Sequence, residues 1–377
     1  MRFSEIAGNE EVKKALVHIV DSGRVPHAIL FHEDEGGGAL ALIQAFLGYL
    51  NCKHRHDGEA GGQCPCCQQI SRYSHPDVHY SYPITSGGKV SGEAKNLIAD
   101  DFIPYWRELV SANPYFLENE LTAAFGIEKK SGLISIAEAK NILQKVSLAT
   151  VTDSYRAIVI WLPEKMNAPA ANALLKEIEE PNPRTIFLMV THSPEDVMTT
   201  IASRCLRIRV LPAPSGEIAR VLEQEFHTGQ EEAERTAQYA GGSVGQALFM
   251  LSDKYLSSGT FDLFADLMDR LVRRDFEGTL QIGEELAGLE SREKQKAFCN
   301  FAGECVRKIF LVQQHLDDLA GIAPEEKAFY EKMASSVKKS FSRKSMMFLD
   351  RASMLVERNV NQKIVFCNLV SRMFTAI

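Results

Sequence analysis

A short apolar run, Ala28-Ile29-Leu30-Phe31, is followed by the turn Gly36-Gly37-Gly38 and then by a stretch from Ala39 to about Leu50 whose apolar positions recur at helical spacing. Strand, glycine loop and helix in that order form the repeating unit of a parallel sheet wrapped by helices, because parallel strands need a crossover between them. Two further strands are predicted at Tyr155 to Leu162 and Thr185 to Val190, with a helix from Ala168 to Glu180 between them that stops before Pro181 and Pro183. Leu206 to Val210 supplies another strand. The run Leu211-Pro212-Ala213-Pro214-Ser215 then breaks the pattern, and beyond it only helical patterning follows, with a second break at Ser257-Ser258-Gly259. The expected architecture is an α/β domain over 1–211 carrying a cysteine-bearing loop at about 52–75, a small helical lid over 212–255 and an all-α domain over 256–377.

A chain of 377 residues with 45% hydrophobic content can bury more than one core. Its formal net charge of -7 gives no global field that would draw it onto nucleic acid or an acidic membrane. The longest apolar runs fall far short of the roughly 20 residues of a membrane span. Met1-Arg2-Phe3-Ser4-Glu5 lacks the pattern of a secretory signal, so a cytoplasmic location with no membrane partner is expected.

A working phosphate loop reads GxxxxGK[ST], with lysine on the phosphates and a hydroxyl on magnesium. With Gly38 as the final glycine, Ala39 stands for the lysine, Leu40 for the hydroxyl and Glu33 for the first glycine. Glu33, Asp34 and Glu35 would moreover repel a triphosphate. An acidic pair is required after Ile158-Val159-Ile160, yet Trp161 and Leu162 follow, with Glu164 the nearest carboxylate. Two losses at two required places predict an ATPase scaffold that binds no ATP, with Gly36, Gly37, Gly38, Ala39 and Leu40 as a degenerate loop. No set of carboxylates suits two-metal nucleotidyl transfer either.

Eight cysteines are unevenly placed, with Cys52, Cys64, Cys66 and Cys67 clustered and Cys205, Cys299, Cys305 and Cys367 scattered among apolar neighbours. In a reduced compartment the cluster points to structural zinc held by four thiolate or imidazole ligands, and the scattered ones to packing. Cys64 and Cys67 form a CxxC pair, and His54 and His56 lie in the same loop.

Phe3-Ser4-Glu5-Ile6-Ala7-Gly8-Asn9, Arg24 to Phe31, Ala171 to Pro181 and Ser203-Arg204-Cys205 together resemble the ordered motifs of the clamp-loader AAA+ family over nearly the whole chain. The resemblance implies a RecA-like AAA+ domain, a lid and a helical collar that assembles into a five-membered ring. Its partners would be motor (gamma/tau) and delta subunits, a sliding clamp and, through the complex, primed DNA. The degenerate loop, the intact Ser-Arg-Cys triplet and His75-Pro76-Asp77 after the cysteines resemble the family's non-hydrolysing members. In such members the arginine, here Arg204, reaches the γ-phosphate of ATP on the adjacent motor subunit, and Cys205 beside it is read as packing.

The family also places a cysteine at the position of Gly61, which aligns Cys52, Cys64 and Cys67 with family ligands and leaves the fourth to Cys66, His54 or His56. Gly241 to Leu248 resembles the glycine turn and helix of the family's second domain, with Gln246 where motor subunits carry a nucleotide-sensing arginine. Thr191, at the polar sensor position, is read as vestigial. The stretch from about Ile84 to Gly132 is longer than the family pattern, and either packs on the domain or docks a partner. Two other classes compete: an ATP-hydrolysing motor subunit, disfavoured by Ala39 and Leu40, and a stand-alone zinc-containing DNA-binding protein, disfavoured by the acidic charge.

Overall fold

The computed structural model describes residues 1–377 apart from 94–95, 128–129, 153, 253–259, 290–291, 321, 323 and 359. The chain forms two compact units, Met1–Met250 and Leu251–Ile377. The break at 257–259 and the 255/256 boundary lie outside the described residues.

The first unit is built on a five-stranded sheet of β1 (Ala28–His32), β2 (Val78–Ser81), β3 (Arg156–Trp161), β4 (Thr185–Thr191) and β5 (Leu206–Arg209), in the spatial order β2-β3-β4-β1-β5. Every neighbouring pair is parallel, with Leu30 opposite Met189 and Ile158 opposite Phe187. β3 and β4 are buried at every position, as continuous apolar strands must be when helices cover both faces of a parallel sheet. Side chains from β1, β3 and β4 share one core with Ile142 of α6 (Ile136–Ser147) and Leu174 of α7 (Ala168–Glu179).

Local chemistry fixes the helix ends. Ser135 caps α6 by accepting the Glu138 N–H, and Asn167 caps α7 by accepting that of Ala170. α7 ends at Glu179, just before Pro181 forbids another turn. α2 (Ala39–Asn51) is buried on nearly all sides, which its apolar sequence ALALIQAFLGYLN permits. The post-boundary stretch forms three helices, α9 (Ser215–Phe226), α10 (Gln230–Tyr239) and α11 (Val244–Leu251), largely inside the first compact unit.

The long stretch between β2 and α6 packs on the domain. Its base is closed by antiparallel bonds between Ile84 and Leu133. Its helices α4 (Ile103–Ala112) and α5 (Glu118–Phe125) bring an aromatic cluster onto the sheet edge. Trp106 stacks on Tyr82 of the chain leaving β2 at 4.3 Å, and Phe116 meets Trp161 of β3 at 5.0 Å.

The second unit is wholly helical among its described residues, running from Thr260–Val272 to Gln362–Ala376. Phe264, Phe298, Val306, Tyr330, Phe341, Phe366 and Met373 form its core. A parallel α/β sheet followed by helical segments is the architecture that the alternation of strands and helices predicts.

Candidate functional site

Three groups of residues in the first unit carry chemistry: the glycine loop after β1, the arginine before β5 and the thiols between α2 and α3 (Pro65–Ser71).

The glycine loop turns sharply because Gly37 N–H bonds the Asp34 carbonyl at 2.9 Å, and Gly36 and Gly38 adopt φ of 76° and 106°. Glu33, at the head of the loop, is 4% exposed, and its carboxylate accepts the Ala39 N–H at 2.6 Å. This is the first residue of α2, so the carboxylate occupies the anion-favouring end of that helix. Its second oxygen lies 3.7 Å from Nε2 of His192, which follows β4. Burial disfavours the charged imidazole, but the hydrogen bond and charge of Glu33, aided by Glu35 and Glu164, outweigh it and raise the His192 pKa.

No lysine or hydroxyl stands at residues 39 and 40, whose side chains Ala39 and Leu40 are buried in the core. At the end of β3, where magnesium-holding acids are needed, Trp161 packs edge-on against His192 at 5.7 Å. The first carboxylate beyond it, Glu164, accepts the His192 backbone N–H at 3.0 Å. Thr191 is fully buried and its hydroxyl accepts the Ser193 N–H at 3.2 Å. Across the loop, the start of α11 closes on it directly. Ser243 Oγ donates to the Glu35 carbonyl at 2.8 Å and Gly245 N–H to that of Gly36 at 3.0 Å.

Arg204 follows the short helix α8 (Thr199–Ala202) and precedes β5, an edge strand of the sheet. Its guanidinium is 31% exposed and rests on Glu179 of α7, with Nε and Nη2 each 2.9 Å from one carboxylate oxygen, while Nη1 donates to the Thr200 carbonyl at 2.9 Å. Glu179 is itself 55% exposed, so the pair is solvated and weakly held. Cys205 turns inward, donates to the Ile201 carbonyl, and burial pushes its thiol up to about 11, which suits packing rather than reactivity.

The sulfurs of Cys52, Cys64 and Cys67 all lie within 4.8 Å of one another. Cys52 ends α2 and accepts the N–H groups of His54 and Gly61 at 3.3 and 3.4 Å. Cys64 caps α3 by accepting the Cys67 N–H at 3.4 Å. Burial, and then hydrogen bonding to the neighbouring thiols, push Cys67 up to about 12. Three amides aimed at sulfurs favour thiolates, and a dication among them would remove the cost of ionising buried thiols. Tetrahedral zinc with Zn–S of about 2.3 Å sets sulfurs about 3.8 Å apart, so the trio needs only a small contraction to hold it.

Cys66, expected as the fourth ligand, is not in the trio. Successive helical residues point about 100° apart, so Cys66 on α3 diverges from Cys67 next to it. Gly61 offers no alternative: a Cβ there would stand 2.5 Å from the His54 carbonyl oxygen, so the backbone itself approaches the trio at that point. Beyond the thiols, Asp77 of the His-Pro-Asp motif is buried and accepts the N–H groups of Val151 and Thr152 at 2.8 and 2.9 Å, tying the loop before β3 to the start of β2.

A family model for DNA polymerase III, delta subunit, matches residues 8–214, more than half of the chain. The chain belongs to that family. Delta-prime subunits from Yersinia pestis and Escherichia coli K12 are each 28% identical, over 194 residues (51% of this chain, 44% of the relative) and 233 residues (62% and 57%). A DNA polymerase III tau subunit from Bacillus subtilis is 24% identical over 263 residues, 68% of this chain but 38% of its own length. The chain thus spans from about two-fifths to under three-fifths of the length of these relatives. A solved gamma-subunit-related protein from Thermotoga maritima is 16% identical over 97% of this chain and 99% of its own, at a TM-score of 0.39, too slight a likeness to carry any argument.

The chain has its glycine loop, Arg204 and thiols in one unit. Three partners were not legible in advance: Glu33 as the anion on α2, His192 as its neighbour and Glu179 as the rest for Arg204. Glu33 carried a signal, an acid six residues before the first helical N–H, but only the curl of the loop brings the two together.

Proposed function

We propose that this chain is the non-hydrolysing, delta-prime-type subunit of a DNA polymerase III clamp loader. It binds no ATP itself and offers Arg204 to ATP on the neighbouring motor subunit, in a ring with gamma/tau and delta subunits that opens a sliding clamp and closes it on primed DNA. The observation that carries this reading is the Glu33 carboxylate on the Ala39 N–H, an anion of the chain's own where a phosphate would sit, in a loop without lysine or hydroxyl. Arg204 supports it from the other side. A planar, permanently charged group held by a solvated carboxylate and one backbone carbonyl can leave Glu179 for a phosphate at little cost.

Cys52, Cys64 and Cys67 are read as three ligands of a structural zinc, which would pin the loop between α2 and α3 and take no part in catalysis. The relatives named tau leave a motor role as the second reading, and the glycine loop argues against it.

The test is ATP hydrolysis by purified motor subunits with delta, clamp and primed DNA, supplemented with wild-type chain, with Arg204→Ala, or with neither. Trans fingers contribute on the order of 10³ to 10⁵ in rate elsewhere. Stimulation by wild type that collapses with Arg204→Ala is the expected result. Equal stimulation by both removes the finger role, and stimulation by neither removes the clamp-loader role.

A further inference from the structure

Between α4 and α5 the chain runs Asn113-Pro114-Tyr115-Phe116-Leu117 directly across the glycine loop. Tyr115 is 2% exposed, and its ring sits so close to Gly38 that a Cβ there would stand 3.0 Å from Cε1. The same ring meets Phe226 at the end of α9 at 6.4 Å. Leu117 inserts between the two walls, its Cδ2 2.9 Å from a Cβ on Gly36 and 3.2 Å from one on Gly245. The Tyr115 carbonyl oxygen occupies the position that a Gly245 side chain would take.

Two polar ties hold the segment down. The Glu118 N–H donates to the Glu35 carboxylate, and the Glu118 side chain pairs with Lys165, beyond β3, at 3.1 Å. Phe116, pointing the other way, packs on Trp161. One segment therefore touches the glycine loop, the turn after β3 and the lid helices. A nucleotide bound at such a loop would meet the same three walls.

We propose that the insert spanning 84–133 is the permanent occupant of the nucleotide cleft, with Tyr115 and Leu117 filling it and Glu33 supplying the anion. This deepens the stator reading and rests on residues 33–40 being a relic nucleotide loop. The bond from Gly245 to Gly36 and that from Ser243 to Glu35 then stay made without any ligand, so the lid turn is held shut by the chain itself. A tethered occupant needs no free concentration to stay bound. A surface insert would need to approach only one wall; the Tyr115 ring 3.0 Å from a Cβ on Gly38 and the Tyr115 carbonyl in the place of one on Gly245 show close approach on both.

Calorimetry with MgATP on the full chain tests this in three forms: wild type, a restored loop (Glu33→Gly, Ala39→Lys, Leu40→Thr), and the restored loop with Tyr115→Ala and Leu117→Ala. Each is first checked for cooperative unfolding. Saturable binding by the third form alone is the expected outcome. Binding by the restored loop with the insert intact overturns the plug while sparing the loop reading. Silence from a folded third form sinks the loop reading and the plug with it.

Should the third form fail to fold, Gly245→Ala in the otherwise wild-type chain decides, because its methyl must displace the Tyr115 carbonyl. Hydrogen exchange at residues 113–121 and 35–40 is expected to rise together by about tenfold or more. Unchanged protection at both stretches refutes the proposal.

Discussion

Replacing Glu33 by alanine deletes a buried carboxylate that makes a 2.6 Å bond to the first N–H of α2 and faces His192. A hydrogen bond to a charged group contributes about 1.5–3 kcal/mol, and an anion at a partly buried helix N-terminus up to about 2 kcal/mol. The two overlap, since the same N–H serves both, so a loss of about 2–4 kcal/mol is expected for Glu33→Ala and about half that for Glu33→Gln. The protein's two tryptophans, Trp106 and Trp161, both lie in the first unit, so fluorescence in a urea titration reads that unit without interference from the helical one.

The pH dependence carries a second signature. The folded His192 pKa is raised, so its pairing stabilises fully below the unfolded value near 6.5, and the contribution is lost as pH rises through the higher folded value. Wild-type stability should therefore decline on the alkaline side of about pH 6.5, and this slope should flatten in Glu33→Gln. A Glu33→Ala chain within about 0.5 kcal/mol of wild type, with the slope intact, would refute the assignment of Glu33 as the anion of α2.

Zinc content of the purified chain should be near one per molecule, stay there in Cys66→Ser and fall in Cys52→Ser or Cys67→Ser, measured by elemental analysis alongside thermal unfolding. Retention of metal in Cys67→Ser would exclude the trio as its site. Asp77→Ala removes acceptors for Val151 and Thr152 and should cost about 2–4 kcal/mol in urea unfolding. Burial raises the Asp77 carboxyl, but a bond from the Thr152 hydroxyl, and then the two N–H bonds, outweigh it and hold the group below its usual range, so its contribution is present above about pH 4 and fades as pH falls through the folded value; Asp77→Asn should lose that acid-side slope. Trp106→Ala empties the centre of the aromatic cluster and should cost about 3–5 kcal/mol, read from Trp161 fluorescence; a loss under about 1 kcal/mol would mean that the insert is loosely packed.

The strands at 28, 156 and 185 could be read from sequence because strands buried on both faces are unbroken apolar runs, whereas the edge strand at 206 is largely exposed and alternates apolar with basic residues, Leu-Arg-Ile-Arg. α7 could be read from its periodicity and the prolines that stop it. β2 escaped notice, being four residues long with a histidine inside it, Val-His-Tyr-Ser. The sheet order was illegible because it rests on pairings between residues far apart in sequence, such as Ala28 with Phe187. At the site, the missing lysine and acids were visible as residue types at fixed offsets, whereas what replaces them was not. Glu33 finds Ala39 through the curl of three glycines, and Tyr115 arrives from a segment that carries no motif at all. The divergence of Cys66 was in principle readable, since Pro65 at a helix start sets Cys66 and Cys67 on different faces.

The place of β1 in the sheet has a consequence for how the protein is made. Ala28–His32 lies between β4 and β5, yet is synthesised long before either of its neighbours. During translation this apolar strand and the buried helix behind it must wait, with both edges unpaired, while the cysteine loop, the insert and β3 emerge. Closure of the sheet is thus a late and non-local event. Nascent chains ending before residue 206 leave one edge of β1 open, an unpaired row of backbone groups on a strand that is buried in the finished sheet.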